Sequence, residues 1–151
     1  MKRSVLASCV TLPFILSPAF ADSSCAPVSR GMEIIADEPY FMFVIDDPTG
    51  TVFRIEGRPD GVEGFRRGEA ESKRFPRNEF SGDLREEARR VQQSESEKCF
   101  REGEESLDNR MMEIFISSNG TRFWVSKEDE RLYKVIDGDE TSIISYEKPG
   151  Q

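Results

Sequence analysis

The feature that most constrains the fold is a series of four short apolar segments, separated by tight turns, towards the C-terminal end of the chain. The first turn contains Asn119 and Gly120, the strongest short-range hairpin signal, because both residues accept a positive φ. Apolar segments of strand length at spacings of about ten residues are typical of antiparallel strands. A four-strand meander is therefore predicted over 111–116, 121–125, 131–136 and 142–146.

A further hairpin is predicted nearer the N-terminal end. The run 40–45 is apolar throughout, the run 51–55 returns, and the intervening Asp-Asp-Pro-Thr-Gly segment has turn chemistry. With the meander, this hairpin gives an α+β, mainly β fold built on an antiparallel sheet of about six strands. Successive side chains of a strand point to opposite faces, so both faces of this sheet are partly apolar. The sheet either closes into a barrel or sandwich, or leaves one face to meet something else.

The middle of the chain is highly charged. Scattered glycines, prolines and isolated phenylalanines predict a long charged loop over 58–80. A helix is predicted over 83–98, because Asp83 and Glu86 match a capping box and apolar residues from Leu84 onwards recur at helical spacing. The apolar stripe is narrow, which indicates a surface helix.

The N-terminal residues match a secretion signal. Lys2 and Arg3 precede an uncharged apolar run that ends in small residues at Ala19 and Ala21. The run is shorter than the roughly 20 apolar residues that span a bilayer, but suits a signal core. We expect a cleavable signal peptide over 1–21 and a single domain over 22–151, located in a bacterial periplasm or secreted. No membrane insertion of that domain is expected.

Export to an oxidising compartment would allow the remaining cysteines to form a disulfide. Loss of the signal removes Cys9 and leaves Cys25 and Cys99. Two cysteines in an oxidising compartment are most simply a disulfide, which here closes a loop of about 75 residues. We therefore predict a Cys25–Cys99 disulfide.

The charge balance limits the partners. The chain has 29 acidic and 21 basic residues and a net charge of −8. Removing Lys2 and Arg3 with the signal makes the charge about −10. Such a charge disfavours nucleic acid and anionic lipid, whose phosphates are repelled, and it fits a basic protein partner.

The chain lacks the residues that several common kinds of catalysis require. The chain has no histidine, which removes Ser-His-Asp and Cys-His catalysis and ordinary zinc sites. No glycine-rich phosphate loop or CxxC pair occurs, and neither Asp46-Asp47 nor 137–140 has the oxygen-ligand alternation of an EF-hand. The sequence therefore predicts neither an enzyme nor a cofactor or metal site.

The expected function is that of a small exported acidic binding protein, of inhibitor or immunity type, that blocks or recognises another macromolecule of the bacterial envelope. Two alternatives stay open: a small-ligand or lipid carrier with a closed β-sheet, and a structural subunit of an envelope assembly. Aromatic residues dominate binding hot spots and charged residues form their rims. The predicted binding residues are the anchors Trp124, Tyr133 and Tyr146 and the acidic rim Glu128, Asp129 and Glu130. The sequence leaves open whether Trp124 belongs to the core.

Overall fold

The computed structural model describes residues 24–148 and Gly150, so the predicted signal over 1–21 lies outside the described residues. The described residues form two helices and nine strands. The helices are α1 (Ala26–Asp37) and α2 (Arg77–Gln93). The strands are β1 (Phe41–Asp47), β2 (Gly50–Arg58), β3 (Gly61–Arg66), β4 (Lys73–Phe75), β5 (Cys99–Leu107), β6 (Arg110–Ser117), β7 (Arg122–Ser126), β8 (Leu132–Asp137) and β9 (Glu140–Ser145).

All nine strands belong to one antiparallel sheet, ordered β4-β3-β2-β1-β9-β8-β7-β6-β5. Each half of the sheet is a meander, and the two halves join where β1 pairs with β9, with Phe43 opposite Ile144. The mainly β fold and the C-terminal four-strand meander, β6 to β9, are confirmed. The count of about six strands is wrong, because the described part of the chain has nine. The sheet is also open, since β4 and β5 are its unpaired edges.

Both helices cover the same face of the sheet. α1 lies against β7 and β8, and α2 lies against β3. The helices also pack on each other through small side chains, where the Ser29 hydroxyl donates to the carbonyl oxygen of Ala88 at 2.7 Å. The main core lies between helices and sheet, and consists of Cys25, Val28, Ile35, Phe41, Val62, Val91, Cys99, Phe115, Val125, Leu132 and Ile144. The opposite face of the sheet carries no helix from the described residues.

The region predicted as a loop over 58–80 instead forms mostly strands and the start of a helix. It contains β3, β4 and the start of α2. The prediction failed because glycines in this segment lie inside a strand, where Gly64 is buried in β3. Glycine is depleted in strands in general, so its presence suggested a loop.

The predicted helix over 83–98 is shifted. α2 begins at Arg77, directly after Pro76, and proline fits the start of a helix because its φ is already fixed and it lacks an N–H. Asp83 therefore lies in the second turn of α2 and is not its cap. The helix ends at Gln93, where the backbone N–H of Ser94 donates to the carbonyl of Arg90.

The predicted disulfide is confirmed. Cys25 immediately precedes α1 and Cys99 is the first residue of β5, with a Cα–Cα distance of 4.8 Å. Both cysteines are buried. The bond therefore attaches the N-terminal end of α1 to an edge strand of the sheet.

The absence of a side chain at Gly57 makes room for the ring of Phe41 against β2. Gly57 is opposite Phe41, whose side chain is 1% exposed, and a Cβ at Gly57 would lie 2.1 Å from Cε1 of that ring. We expect Gly57→Ala to lower the free energy of unfolding by about 1–3 kcal/mol, the usual cost of overpacking, as measured by urea denaturation.

Gly82→Ala is the matched control. Gly82 lies within α2 and a Cβ there would meet nothing within 4 Å, so the same substitution should stabilise the chain by up to about 1 kcal/mol. If both substitutions change the free energy of unfolding equally, the packing of the Phe41 ring does not require a glycine at position 57.

Candidate functional site

A cleft of about 260 Å³ opens between the first half of α2 and the end of the sheet formed by β2, β3 and β4. Its walls are predominantly apolar. The lining residues are Phe53, Ile55, Val62, Gly64, Phe75, Glu79, Phe80 and Asp83.

The sheet wall follows from strand alternation. Phe53 and Ile55 flank Arg54, whose guanidinium lies 4.5 Å from the ring centroid of Phe65 on the opposite face. Phe53 and Ile55 therefore point towards α2. Gly64 faces the cleft from β3, and a Cβ there would lie 3.2 Å from Cζ of Phe53. The missing side chain keeps the space between the phenylalanine rings open.

The helix wall is fixed to the core by aromatic stacking. The ring of Phe80 stacks on that of Phe41, with centroids 5.3 Å apart, and Phe41 is itself buried. Phe75 lies at the rim, where its side chain is 44% exposed. The cleft thus has an aromatic back that packs on the buried core and a solvent-facing aromatic edge.

Two carboxylates stand at the mouth of the cleft. Glu79 and Asp83 are four residues apart on α2 and both are exposed. Within the described part of the chain, neither side chain forms an ion pair or a hydrogen bond. The lining also includes no lysine or arginine. The site is therefore an apolar cleft with two negatively charged side chains at its mouth.

Trp124, predicted as a binding anchor, is buried. It is 5% exposed, its Nε1–H donates to a carboxylate oxygen of Glu105 at 2.6 Å, and Nζ of Lys134 lies 4.5 Å from its ring centroid. With Met112 and Tyr133 it forms a second apolar cluster. Trp124 alternates along β7 with the core residue Val125, so this cluster lies on the face away from the helices.

The two predicted tyrosines contact each other, with ring centroids 5.4 Å apart. The Tyr133 hydroxyl donates to Asp129 at 2.9 Å, and the Tyr146 hydroxyl donates to the carbonyl of Leu132 at 2.6 Å. Burial raises the pKa of Tyr146 well above its usual range. Desolvation opposes ionisation of Asp129, but hydrogen bonds from the backbone N–H of Arg131 and from Tyr133 outweigh it and lower the pKa of that carboxyl.

The structure therefore brings Tyr133, Tyr146 and Asp129 together. Glu128 is exposed. Oε2 of Glu130 lies 3.7 Å from Nε of Arg30. The role of these residues in binding a partner stays a prediction. The cleft was not predicted from the sequence, where Phe75 and Phe80 were interpreted as isolated rings of a loop.

Residues 24–148 and Gly150 lack two other kinds of feature. These residues contain no group of three or more carboxylate or cysteine side chains placed to hold a metal ion. Neither of their helices is long and apolar enough to cross a membrane.

Comparison with known proteins found no matching family model and no similar sequence among curated proteins. Distant similarities to solved structures include the following two. One is a LolA superfamily protein from Nitrosomonas europaea, with a TM-score of 0.34 and 10% identity, covering 83% of this chain and 92% of that chain. The other is a DUF1329 family protein from Desulfovibrio piger, with a TM-score of 0.22, 10% identity and the same coverage values of 83% and 92%. Scores this low establish no shared fold, so function must be inferred from the geometry of the chain.

Proposed function

We propose that this chain is a carrier that binds a small apolar molecule, or the apolar part of an amphiphile, in the cleft between α2 and the sheet. The observation that supports it is the wall of Phe53, Ile55, Val62, Phe75 and Phe80 around a cavity of about 260 Å³. Ligand sites are typically concave and mostly apolar, with a few polar groups. The cleft is of this kind.

The carrier differs from the one expected from the sequence, which had a closed sheet around its ligand. The sheet is open, so the ligand lies under a helix and not inside a barrel. A blocker of a basic protein is less well supported, because its proposed anchors Trp124 and Tyr133 are buried and bonded within the chain. The Cys25–Cys99 disulfide fits the oxidising compartment to which we propose the chain is exported.

Binding can be tested with N-phenyl-1-naphthylamine, an uncharged dye whose fluorescence rises in apolar surroundings. We expect saturable binding to the oxidised protein. Phe75→Gln should weaken it about tenfold, because roughly 1.4 kcal/mol of apolar contact at the rim corresponds to that factor. The measured quantity is the dissociation constant from a fluorescence titration.

Phe100→Gln provides the control. Phe100 is 43% exposed, against 44% for Phe75, but lies on edge strand β5, away from the cleft. The two substitutions therefore remove the same ring at the same exposure. Absence of saturable binding, or equal weakening by both variants, would rule out the cleft as the site.

A further inference from the structure

We propose that the cleft selects a cationic amphiphile, with the apolar chain under Phe75 and Phe80 and the positive group between Glu79 and Asp83. This inference rests on the proposed carrier function and adds the chemical class of the ligand. It depends on the apolar cavity and on the charges at its mouth.

Glu79 and Asp83 lie next to each other on α2, and their negative charges repel each other. Residues four apart on a helix are neighbours, and like charges at that spacing destabilise it. Many other acids of the described chain have a base within reach: Arg90 pairs with Glu87, and Arg122 with Glu102 at 2.8 Å. Glu79 and Asp83 have no such partner among the described residues.

The helix dipole explains only one of the two acids. An acid in the first turn is stabilised by the positive end of a helix, an effect that falls off beyond that turn. Glu79 is in the first turn of α2, whereas Asp83 is in the second. Asp83 therefore adds negative charge at the cleft without that compensation.

Among the described residues that line the cleft, none is a lysine or an arginine. Lys73 on β4 is close in sequence to the lining residue Phe75, but its Nζ pairs with Glu69 at 3.8 Å. The whole chain also has a net charge of −8, which raises the local concentration of cations.

An ammonium group on an apolar chain satisfies both parts of the site. Its chain replaces water against the phenylalanine wall, and its charge lies between the two carboxylates. The exposed ring of Phe75 at the rim can add a cation–π contact. The carboxylate of a fatty acid, entering the same way, is repelled at the mouth.

The test uses three probes with the same dodecyl chain: dodecyltrimethylammonium, dodecyl maltoside and dodecanoate. Each displaces N-phenyl-1-naphthylamine from the protein below its critical micelle concentration. We expect the cationic probe to bind about fivefold more tightly than the uncharged one, as two solvent-exposed ionic contacts allow, and the anionic probe to bind least. Added salt should reduce these differences.

Glu79→Gln/Asp83→Asn should abolish the preference while retaining binding of the uncharged dye. Glu86→Gln/Asp139→Asn is the matched control, because it removes one Glu and one Asp charge at exposed positions outside the cleft. It should keep the preference.

The outcomes separate the two proposals. Equal binding of the three probes, or a preference that survives in Glu79→Gln/Asp83→Asn, overturns the cationic ligand and leaves the carrier function standing. Loss of the preference in the control variant also overturns it, because the charge then acts through the whole protein. Absence of dye binding to the unsubstituted protein refutes both.

Discussion

Replacing Trp124 with alanine is expected to lower the free energy of unfolding by about 3–5 kcal/mol, the range found when large buried aromatic side chains are truncated. The indole is 5% exposed and packs on Met112, which is fully buried. Its loss also leaves Glu105 without the hydrogen bond from Nε1. Urea denaturation of both proteins gives the difference.

Phe100→Ala is the control for this prediction, since Phe100 lies on the same face of the sheet and is 43% exposed. It should cost well under half as much, because the ring loses less buried area. A loss of less than about 1 kcal/mol for Trp124→Ala would contradict the buried position and return Trp124 to the candidate binding anchors.

Removing the disulfide should have a comparable effect. For Cys25→Ser/Cys99→Ser we expect a loss of about 4 kcal/mol, since the bond closes a long loop in the unfolded chain; the two cysteines are 74 residues apart. The bond joins the start of α1 to an edge of the sheet. The Cys25 side chain makes no capping hydrogen bond to α1, and within the described sheet β5 is paired with β6 alone.

The measurement compares urea midpoints of the variant, of the oxidised protein and of the protein reduced with dithiothreitol. The variant and the reduced protein should agree and lie well below the oxidised protein. Thiol labelling of the unfolded, unreduced protein should find neither Cys25 nor Cys99 free. Full labelling, or three equal midpoints, would contradict the role given to the bond.

The C-terminal meander was predictable because its determinants are local. The Asn119-Gly120 turn and the apolar runs around it define the pairing of β6 with β7 without reference to the rest of the chain. The disulfide was predictable from the cysteine count. Helix α1 was missed, although Val28, Met32 and Ile35 recur at helical spacing and Pro27 fits its first turn.

Strand β5 was missed for a different reason. Four of its nine residues are charged, and a strand at the edge of a sheet needs little apolar surface. Ion pairs across the sheet support it, such as Lys127 with Glu104 at 2.7 Å. Alternation of apolar residues, on which strand prediction depends, is absent there.

The cleft could not be predicted because its walls come from separate segments. Phe53 and Gly64 reach it from β2 and β3, whereas Phe80 reaches it from α2. Their approach depends on how α2 packs on α1 and on β3. No local pattern around any of these residues reports that packing.

The strand order has a consequence for how the chain folds. Apart from β1 and β9, every pair of neighbouring strands in the described sheet is also adjacent in sequence, so both meanders can grow from local contacts, which form fastest. Joining β1 to β9 is the one non-local step, and it carries the loop-closure entropy of the whole intervening segment. Because Cys25 precedes β1 and Cys99 is the first residue of the second meander, the disulfide shortens the path between these two strands. Oxidation before folding therefore lowers the entropic cost of joining the halves.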